Sequence, residues 1–511
     1  MSPPLLFSRN TQLTEPQGDY DAASPCDHVD LPQTELEPIL TRRAILDGWT
    51  LRFNTSFVTF TRTSPTTILS TVHDTVSNHT YKIQSRYLFG ADGARSQVIR
   101  TLGIPLIKKP GQGLAINVLL KADLSHLVAN RTGNLHWVFQ PEREHPAWGW
   151  ACIVRMVRPW DEWMFIFLPP PGTDISTLES QLPSSKEGYL PRVKEFIGDD
   201  SVEVNIINVS HWKINETVAE YYTAPEGDVF CLGDAVHRHP PFNGLGSNTC
   251  IQDAFNLAWK IAYVMDGKAS DKLLGTYSTE RQPVGAGIIT RANQGLRDHA
   301  LWMESIGMTE PDLERRKGIL AEFDDKGETG RKRREMFLKG IENTGTEFHG
   351  LGVEMNQQYR STGVYHDDEP DVPALPADAV RERLISTYPG MRLPHAWLNT
   401  RVPGKQFSTI DLAGKGRFCL LTGPGGEAWK KAAEEVAEAV GVVIKAYSIG
   451  WREDYEDVYF DWAKRREVGE AGCVLVRPDR FVAWRVKEIV EDPKAKLEVV
   501  MRRVLCLEQL K

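Results

Sequence analysis

The sequence predicts an α/β (α+β) chain, and three observations carry that prediction. A short apolar strand runs into a Gly-rich turn and a helix at Tyr87–Ser96, and the pattern returns at Val229–Val264. Between them, residues 112–212 hold β-branched and aromatic runs separated by polar, Gly or Pro-containing breaks, the spacing of an antiparallel sheet rather than of βαβ units. From Phe418 onward, strands and helices follow in the order β-α-β-β-β-α.

Composition bounds the function. The 511 residues are 41% hydrophobic and 25% charged, the profile of a globular chain with about three domains. The net charge is −8 and no long basic block occurs, which argues against nucleic acid as a partner. No apolar run approaches the ~18 residues of a membrane span. The start, MSPPLLFSRN, has neither the basic region nor the apolar length of a signal peptide. Cys26, Cys152, Cys231, Cys250, Cys419, Cys473 and Cys506 form no CxxC, so a disulfide scaffold, a thiol redox site and a Cys-rich zinc site are not expected. The expected location is intracellular and cytoplasmic.

The elements follow in chain order. Residues 1–24 are polar and read as an irregular start. Leu36, Ile39, Leu40 and Ala44 fall at helical spacing over Leu36–Leu46, and Thr34 with Glu37 forms a candidate capping box. Short strands alternate over residues 51–90. Leu114–Leu120, Leu135–Gln140, Trp150–Arg158 and Trp163–Leu168 are the sheet strands. Val229–Leu232 is a buried strand. Asp253–Val264 is a helix whose apolar face is Ala254, Leu257, Ala258, Ile261 and Ala262. The charged stretch Asp324–Arg334 and a loop ending near Pro376 lead to the last region. There Phe418–Leu421, Val442–Ser448, Cys473–Val476 and Phe481–Arg485 are strands, and Glu427–Val440 and Leu497–Leu510 are helices. Without CxxC this region is structural rather than redox-active.

Two turns carry the chemistry. Gly233-Asp234-Ala235-Val236-His237-Arg238-His239-Pro240-Pro241-Phe242-Asn243-Gly244-Leu245-Gly246-Ser247-Asn248 joins a strand to a helix. A helix start offers free N–H groups and a positive dipole end, and glycines let the backbone approach a ligand. Asp234 is suited to accept hydrogen bonds from a sugar hydroxyl. Gly90-Ala91-Asp92-Gly93-Ala94-Arg95-Ser96 is the second turn; alone it reads equally well as a strand-to-helix turn capped by Ser96 or Asp92.

Together, GADGARSQVIR and GDAVHRHPPFNGLGSN resemble the class A flavoprotein aromatic hydroxylases, the p-hydroxybenzoate hydroxylase and phenol hydroxylase group. The nearer likeness is to the phenol hydroxylase-like branch that includes 2,4-dichlorophenol 6-monooxygenase. Supporting pieces are Ser24-Pro25-Cys26 through Glu37, Val154–Trp160, Ile214-Asn215-Glu216, and Leu351-Gly352 through Ser361. The resemblance implies a split FAD-binding domain (1–104 and 216–345), an inserted antiparallel substrate sheet (105–215) and a thioredoxin-like C-terminal domain (346–511). It implies an FAD-dependent monooxygenase that hydroxylates a phenolic ring through a flavin C4a-hydroperoxide, with NAD(P)H and O2, and a homodimer as in many relatives. It also assigns residues. Asp234 binds the ribityl or ribose side of FAD; Gly244, Leu245, Gly246, Ser247 and Asn248 line the isoalloxazine; Gln33 contacts FAD. Asp92 and Arg95 lie in a segment linked to FAD and NAD(P)H, and Pro241 presents its carbonyl near the substrate.

One family feature has no counterpart. No G-x-G-x-x-G occurs, and Gly423-Pro424-Gly425-Gly426 lies in the C-terminal region. The FAD domain is therefore expected to lack its first βαβ unit, exposing an apolar sheet edge and weakening flavin binding. The alternatives to an active hydroxylase of phenols are a truncated, non-catalytic remnant and a flavin monooxygenase acting on a polyketide-type aromatic.

Lesser candidates have blander readings. His237 and His239 lack a third metal ligand, so no metal is expected. Asp253 reads as a structural helix carboxylate. Of Arg155 and Arg158, odd spacing on a strand puts one inward at most; Arg155 is the candidate anchor for a phenolate. Trp150, Trp160 and Trp163 are expected as core or pocket wall, and Arg331–Arg334 as a solvated face.

Overall fold

A helix with no buried residue, α1 (Gln33–Leu46), precedes the first sheet. The computed structural model describes residues 20–507 except His28, residues 110–112, residues 131–132, Asn134 and Asn215. Residues 1–19 of the expected irregular start, Asn215 and residues 508–511 thus lie outside the described residues; the last helix, expected to run to Leu510, ends at Val504. The Thr34/Glu37 capping box does not form: α1 begins at Gln33 behind Pro32, whose ring fixes the entry and whose side chain cannot cap.

Strands β1 (Thr55–Ser64), β2 (Thr67–Asp74) and β3 (His79–Ser85) form an antiparallel meander. Strand β4 (Leu88–Gly90) leads through the Gly93–Arg95 turn into α2 (Gln97–Leu102), which Ser96 caps through Ile99 N–H. Strands β5 (Leu106–Lys109) and β6 (Leu114–Lys121) come next, followed by β7 (Leu135–Val138), β8 (Ala151–Arg158), β9 (Glu162–Leu168) and β10 (Asn205–Lys213). The order β10-β6-β9-β8-β7 is antiparallel throughout, as the alternating runs of residues 112–212 require. One face of this sheet buries Val118, Leu120, Trp163, Phe165 and Phe167; the other packs Ala115, Ile153 and Trp137 toward Trp302. Trp150 and Trp163 are buried as expected, but Trp160 is 49% exposed because it sits in the turn between β8 and β9, outside both faces.

Strand β11 (Glu216–Ala219) pairs with β5 and with β13 (His237–Arg238). Strand β12 (Val229–Cys231) pairs parallel with β4. That parallel sheet has two strands among the described residues, and Phe89 on it is 44% exposed, the open apolar edge expected from the sequence. Two long helices cover it, α3 (Gly246–Met265) and α4 (Lys272–Asp298). Helix α5 (Ala300–Ser305) then packs on α6 (Glu328–Thr344). The charged stretch at 324–334 is thus largely helical. Two of its cations are paired, Arg333 with Glu322 at 2.6 Å and Lys332 with Glu328 at 2.7 Å, and Arg334 donates to the Phe323 and Asp325 carbonyls.

The C-terminal sheet comprises β14 (Phe418–Thr422), β15 (Ile444–Ser448), β16 (Cys473–Val476) and β17 (Val482–Val486), with α7 (Glu427–Val440) and α8 (Pro493–Val504) packed on it. β14 and β15 are parallel and the other pairings antiparallel, giving the order β15-β14-β16-β17. The same apolar core runs without a break from Phe230 and Leu257 under the parallel pair to Phe418, Trp429, Trp484 and Leu497. The C-terminal domain is therefore packed directly on the helices that follow the 233–248 loop.

Candidate active site

The two glycine turns meet because the strands before them pair. Parallel β4 and β12 end side by side, Leu232 N–H donates to Gly90 O at 3.2 Å, and the turns Gly93–Arg95 and Gly233–Ala235 adjoin. This brings Asp92 and Asp234 to one exposed rim. Their states differ. Asp92 Oδ2 accepts from Gln97 N at 2.7 Å and Val98 N at 3.1 Å, so it is tied to the start of α2. Arg95 is exposed beside it. Gln33 is exposed at the first turn of α1, and among the described residues no hydrogen bond or ion pair joins it to the loop.

Beyond Asp234 the loop alternates anchored and open residues. Phe242, Asn243 and Leu245 are buried, whereas Pro241, Gly244, Ser247 and Asn248 are exposed. Asn243 and Gly244 both have left-handed φ, 65° and 61°, which turns the chain into α3. A side chain at Gly244 would meet no atom within 4 Å, so the space over it is open. Asn243 is held by Nδ2 donating to Thr346 O at 2.7 Å, while its Oδ1 is buried without a partner. No side chain caps α3, a helix of 20 residues, so its first N–H groups and dipole face the rim.

Behind the loop, Asp253 is fully buried. Its Oδ2 accepts from Gly233 N at 3.1 Å and from His237 Nε2 at 2.9 Å, and Oδ1 accepts from Arg281 Nε at 2.7 Å. Burial pushes this carboxyl up, but His237 and Arg281 outweigh it and hold it below the usual carboxylate range. Gly233 has φ 63°, and a Cβ there would stand 3.0 Å from Cys250 Sγ, so the turn needs glycine. His239 Nδ1 donates to Pro240 O at 2.7 Å, and burial keeps its pKa low, so the ring is neutral.

The inserted sheet closes the other side through aromatic rings. Trp137 on β7 lies 6.0 Å from the Phe242 ring, 4.6 Å from His299 and 6.0 Å from Trp302. Arg155 stands opposite Leu135, on the Trp137 face of the sheet, and donates to Asp30 at 2.6 Å. Arg158 was expected on the opposite face. A bulge between Met156 and Arg158 inserts one residue, so Arg158 shares the Arg155 face and pairs with Glu35 at 2.6 Å. Both arginines thus tie the sheet to the chain entering α1.

Asn243, Trp137, Arg281 and His299 were not among the expected site residues. Asn243 could have been found from its place beside glycine in the loop, since Asn tolerates left-handed φ. The other three are ordinary residues far apart in sequence.

This arrangement defines a class: an oxidoreductase-type α/β protein that seats a nucleotide cofactor where parallel strands run into helix starts, with an inserted sheet over the reactive end. Comparison with known proteins narrows it. Residues 2–292 match the FAD binding domain family, and residues 386–506 match the aromatic-ring hydroxylase C-terminal family. The chain is 39% identical to the 2,4-dichlorophenol 6-monooxygenase of Delftia acidovorans over 96% of its length and 82% of the relative's. It is 37% identical to the phenol 2-monooxygenase of Pseudomonas sp. strain EST1001 over 96% of its length and 77% of that protein's. The crystal structure of the flavin-dependent monooxygenase PieE with FAD and substrate superposes with a TM-score of 0.87 at 38% identity, covering 96% of this chain and 82% of that one. The chain belongs to the FAD-dependent aromatic-ring monooxygenases.

The residues present fit FAD. The open space over Gly244 and the uncapped α3 amides are what a flavin ring edge would require of this loop.

Proposed function

We propose that this monooxygenase hydroxylates a phenol, with FAD seated along the 233–248 loop and with NAD(P)H and O2 as co-substrates. The observation that carries the reading is the exposed, uncapped start of α3 behind left-handed Asn243 and Gly244. FAD, when bound, supplies two-electron transfer from the nicotinamide and the activation of dioxygen.

The chain's own residues do the rest. Asp234, exposed at the end of the turn, accepts hydrogen bonds from the ribityl or ribose hydroxyls. Gly244 leaves the space for the ring edge open, Leu245 through Asn248 present backbone amides, and the α3 dipole favours negative charge on the edge they face. Asp92 fixes α2, with Arg95 beside it on the cofactor rim. Gln33, exposed at the first turn of α1, is a further FAD contact. Pro241 is exposed in the loop; its carbonyl accepts from Gly244 N–H at 3.2 Å and presents its remaining lone pair to the substrate hydroxyl. Trp137, Phe242 and Trp302 form an apolar wall that stacks on the ring and keeps water out. Arg155 lies on the same sheet face as Trp137. Its N–H groups beyond the one held by Asp30 can stabilise a phenolate oxygen. The phenolate is the form whose ring is electron-rich enough to accept oxygen.

The phenol reading draws on relatives that are 37–40% identical and carry names of monooxygenases of single-ring phenols. An FAD titration of the purified chain, followed by NADH and NADPH oxidation and O2 uptake across a phenol panel, tests it. A phenol-dependent rate with a hydroxylated product supports the reading. A folded chain that retains no FAD, or oxidises NAD(P)H only to peroxide with every phenol, overturns it.

A further inference from the structure

A chain of buried charges runs from the C-terminal domain to the cofactor loop. It begins in the turn between β16 and β17, where Asp479 holds Arg477 at 2.6 and 3.0 Å. Arg477 reaches out of its own domain and grips both oxygens of Glu280 on α4, at 2.6 and 2.8 Å. Glu280 also accepts from Lys260 at 2.7 Å and Asn256 at 2.8 Å on α3, and from Ser361 at 2.6 Å. The next residue on α4, Arg281, donates to Asp253, and Asp253 holds the Gly233 amide and His237. Tyr359, stacked on Phe481 at 3.9 Å, accepts from Arg281 Nη1 at 3.1 Å and closes the circuit back to the C-terminal domain.

Lys260, Arg281, Arg477, Asp253 and Glu280 are fully buried and Asp479 nearly so. Three cations face three carboxylates, and α3, α4 and the turn between β16 and β17 each contribute one of either sign; Arg477 and Asp479 enter as a balanced pair, with Arg477 as the second cation on Glu280. A buried network of this kind is a costly way to gain stability, and its best-attested use is to fix register. Here the register that it fixes is that of α4 against α3, and with it the position of Asp253 under the turn.

We propose that the C-terminal domain sets the geometry of the FAD-binding turn, with Arg477 as a positioning residue that acts through Glu280, Arg281 and Asp253 on the Gly233 amide and His237. The inference rests on the reading that this loop seats FAD.

Hydrogen–deuterium exchange of the full chain, read on peptides covering residues 229–240, tests it with and without FAD. Arg477→Met and Arg477→Lys are compared with Val500→Ala, which weakens the C-terminal core without touching the network. The arginine variants are expected to speed exchange at the turn about tenfold, while Val500→Ala at matched melting temperature leaves it slow. If Arg477→Met does not fold, Arg477→Lys and Asp479→Asn carry the same reading. Equal exchange in the control and the arginine variants, or a turn that stays protected without Arg477, overturns the proposal. A loosened turn that binds FAD as tightly as the unaltered chain overturns the assignment of the loop instead.

Discussion

Glu280→Gln removes the carboxylate onto which five donors converge, two from Arg477 and one each from Lys260, Asn256 and Ser361. The site is sealed from water, so nothing replaces the lost charge. Arg477 keeps Asp479, but Lys260 is left with neutral acceptors only, the new amide oxygen and Asn256 Oδ1 at 2.9 Å. Removing one member of a buried pair costs about 3–5 kcal/mol. Burial, with Arg477 beside it, already pulls Lys260 down to about 8 in spite of Glu280, so the lysine can shed its proton in the variant. That relief places the loss near the low end, about 3 kcal/mol. An unfolding entropy of about 2.1 cal/mol/K per residue over 511 residues is about 1.1 kcal/mol/K, so Tm falls by about 3 °C if the chain melts as one unit. Scanning calorimetry at pH 7 reads this, with Glu314→Gln, the exposed partner of Lys317, as the control for an ordinary surface pair. A Glu280→Gln shift no larger than the control's would refute the claim that these charges act as a buried, mutually dependent set.

Lys260 also sets a pH dependence. Its folded pKa of about 8 lies below the ordinary 10.5, so between those values the unfolded chain binds a proton that the folded chain does not. Its contribution to stability therefore rises from pH 8 to 10.5, and the rise should vanish in Lys260→Met; parallel stability curves for the two proteins would show that the burial cost is absent. Gly244→Asp places a carboxylate and a left-handed non-glycine residue where the flavin edge belongs, and FAD retention should be lost; full flavin content in that variant removes the loop from the cofactor site. Asp234→Ala should weaken FAD binding about tenfold through lost hydrogen bonds, read by fluorescence titration, and an unaltered Kd would put the ribityl chain elsewhere. Trp137→Ala should raise KM for a phenol about tenfold with a smaller change in kcat; an unchanged KM would exclude the ring from the substrate wall.

How legible each part was depends on where its constraint resides. The 233–248 loop was readable because its demands are local. Positive φ at Gly233, Asn243 and Gly244 admits few residue types, and those types stand in one unbroken run. The antiparallel insertion and the C-terminal β-α-β-β-β-α order were readable for a similar reason, since alternation and helical spacing are short-range patterns. Two local rules were overridden by single-residue events. Pro32 ahead of α1 displaced the capping box, and the bulge after Met156 turned Arg158 onto the face of Arg155.

Helix α3 shows what the sequence conceals. Its apolar periodicity picks out Ala254, Leu257, Ala258, Ile261 and Ala262, yet all three alanines are exposed. The buried stripe is Asp253, Asn256, Leu257, Lys260, Ile261 and Val264, half of it polar. A polar residue can occupy a core position only if its partner is also there, and the partners are Glu280 and Arg281 on the next helix and Arg477 and Asp479 some two hundred residues on. Hydrophobic periodicity assumes that burial is apolar, so it rejects such a stripe. What identifies the stripe is pairing across three segments, Lys260 with Glu280, Arg281 with Asp253 and Arg477 with Glu280, and such pairing is a property of the folded set rather than of any window along the chain. The residues least visible in the sequence are thus the ones that join the C-terminal domain to the 233–235 turn, and removing Arg477 alone leaves Glu280 with Lys260 as its one buried cation among them.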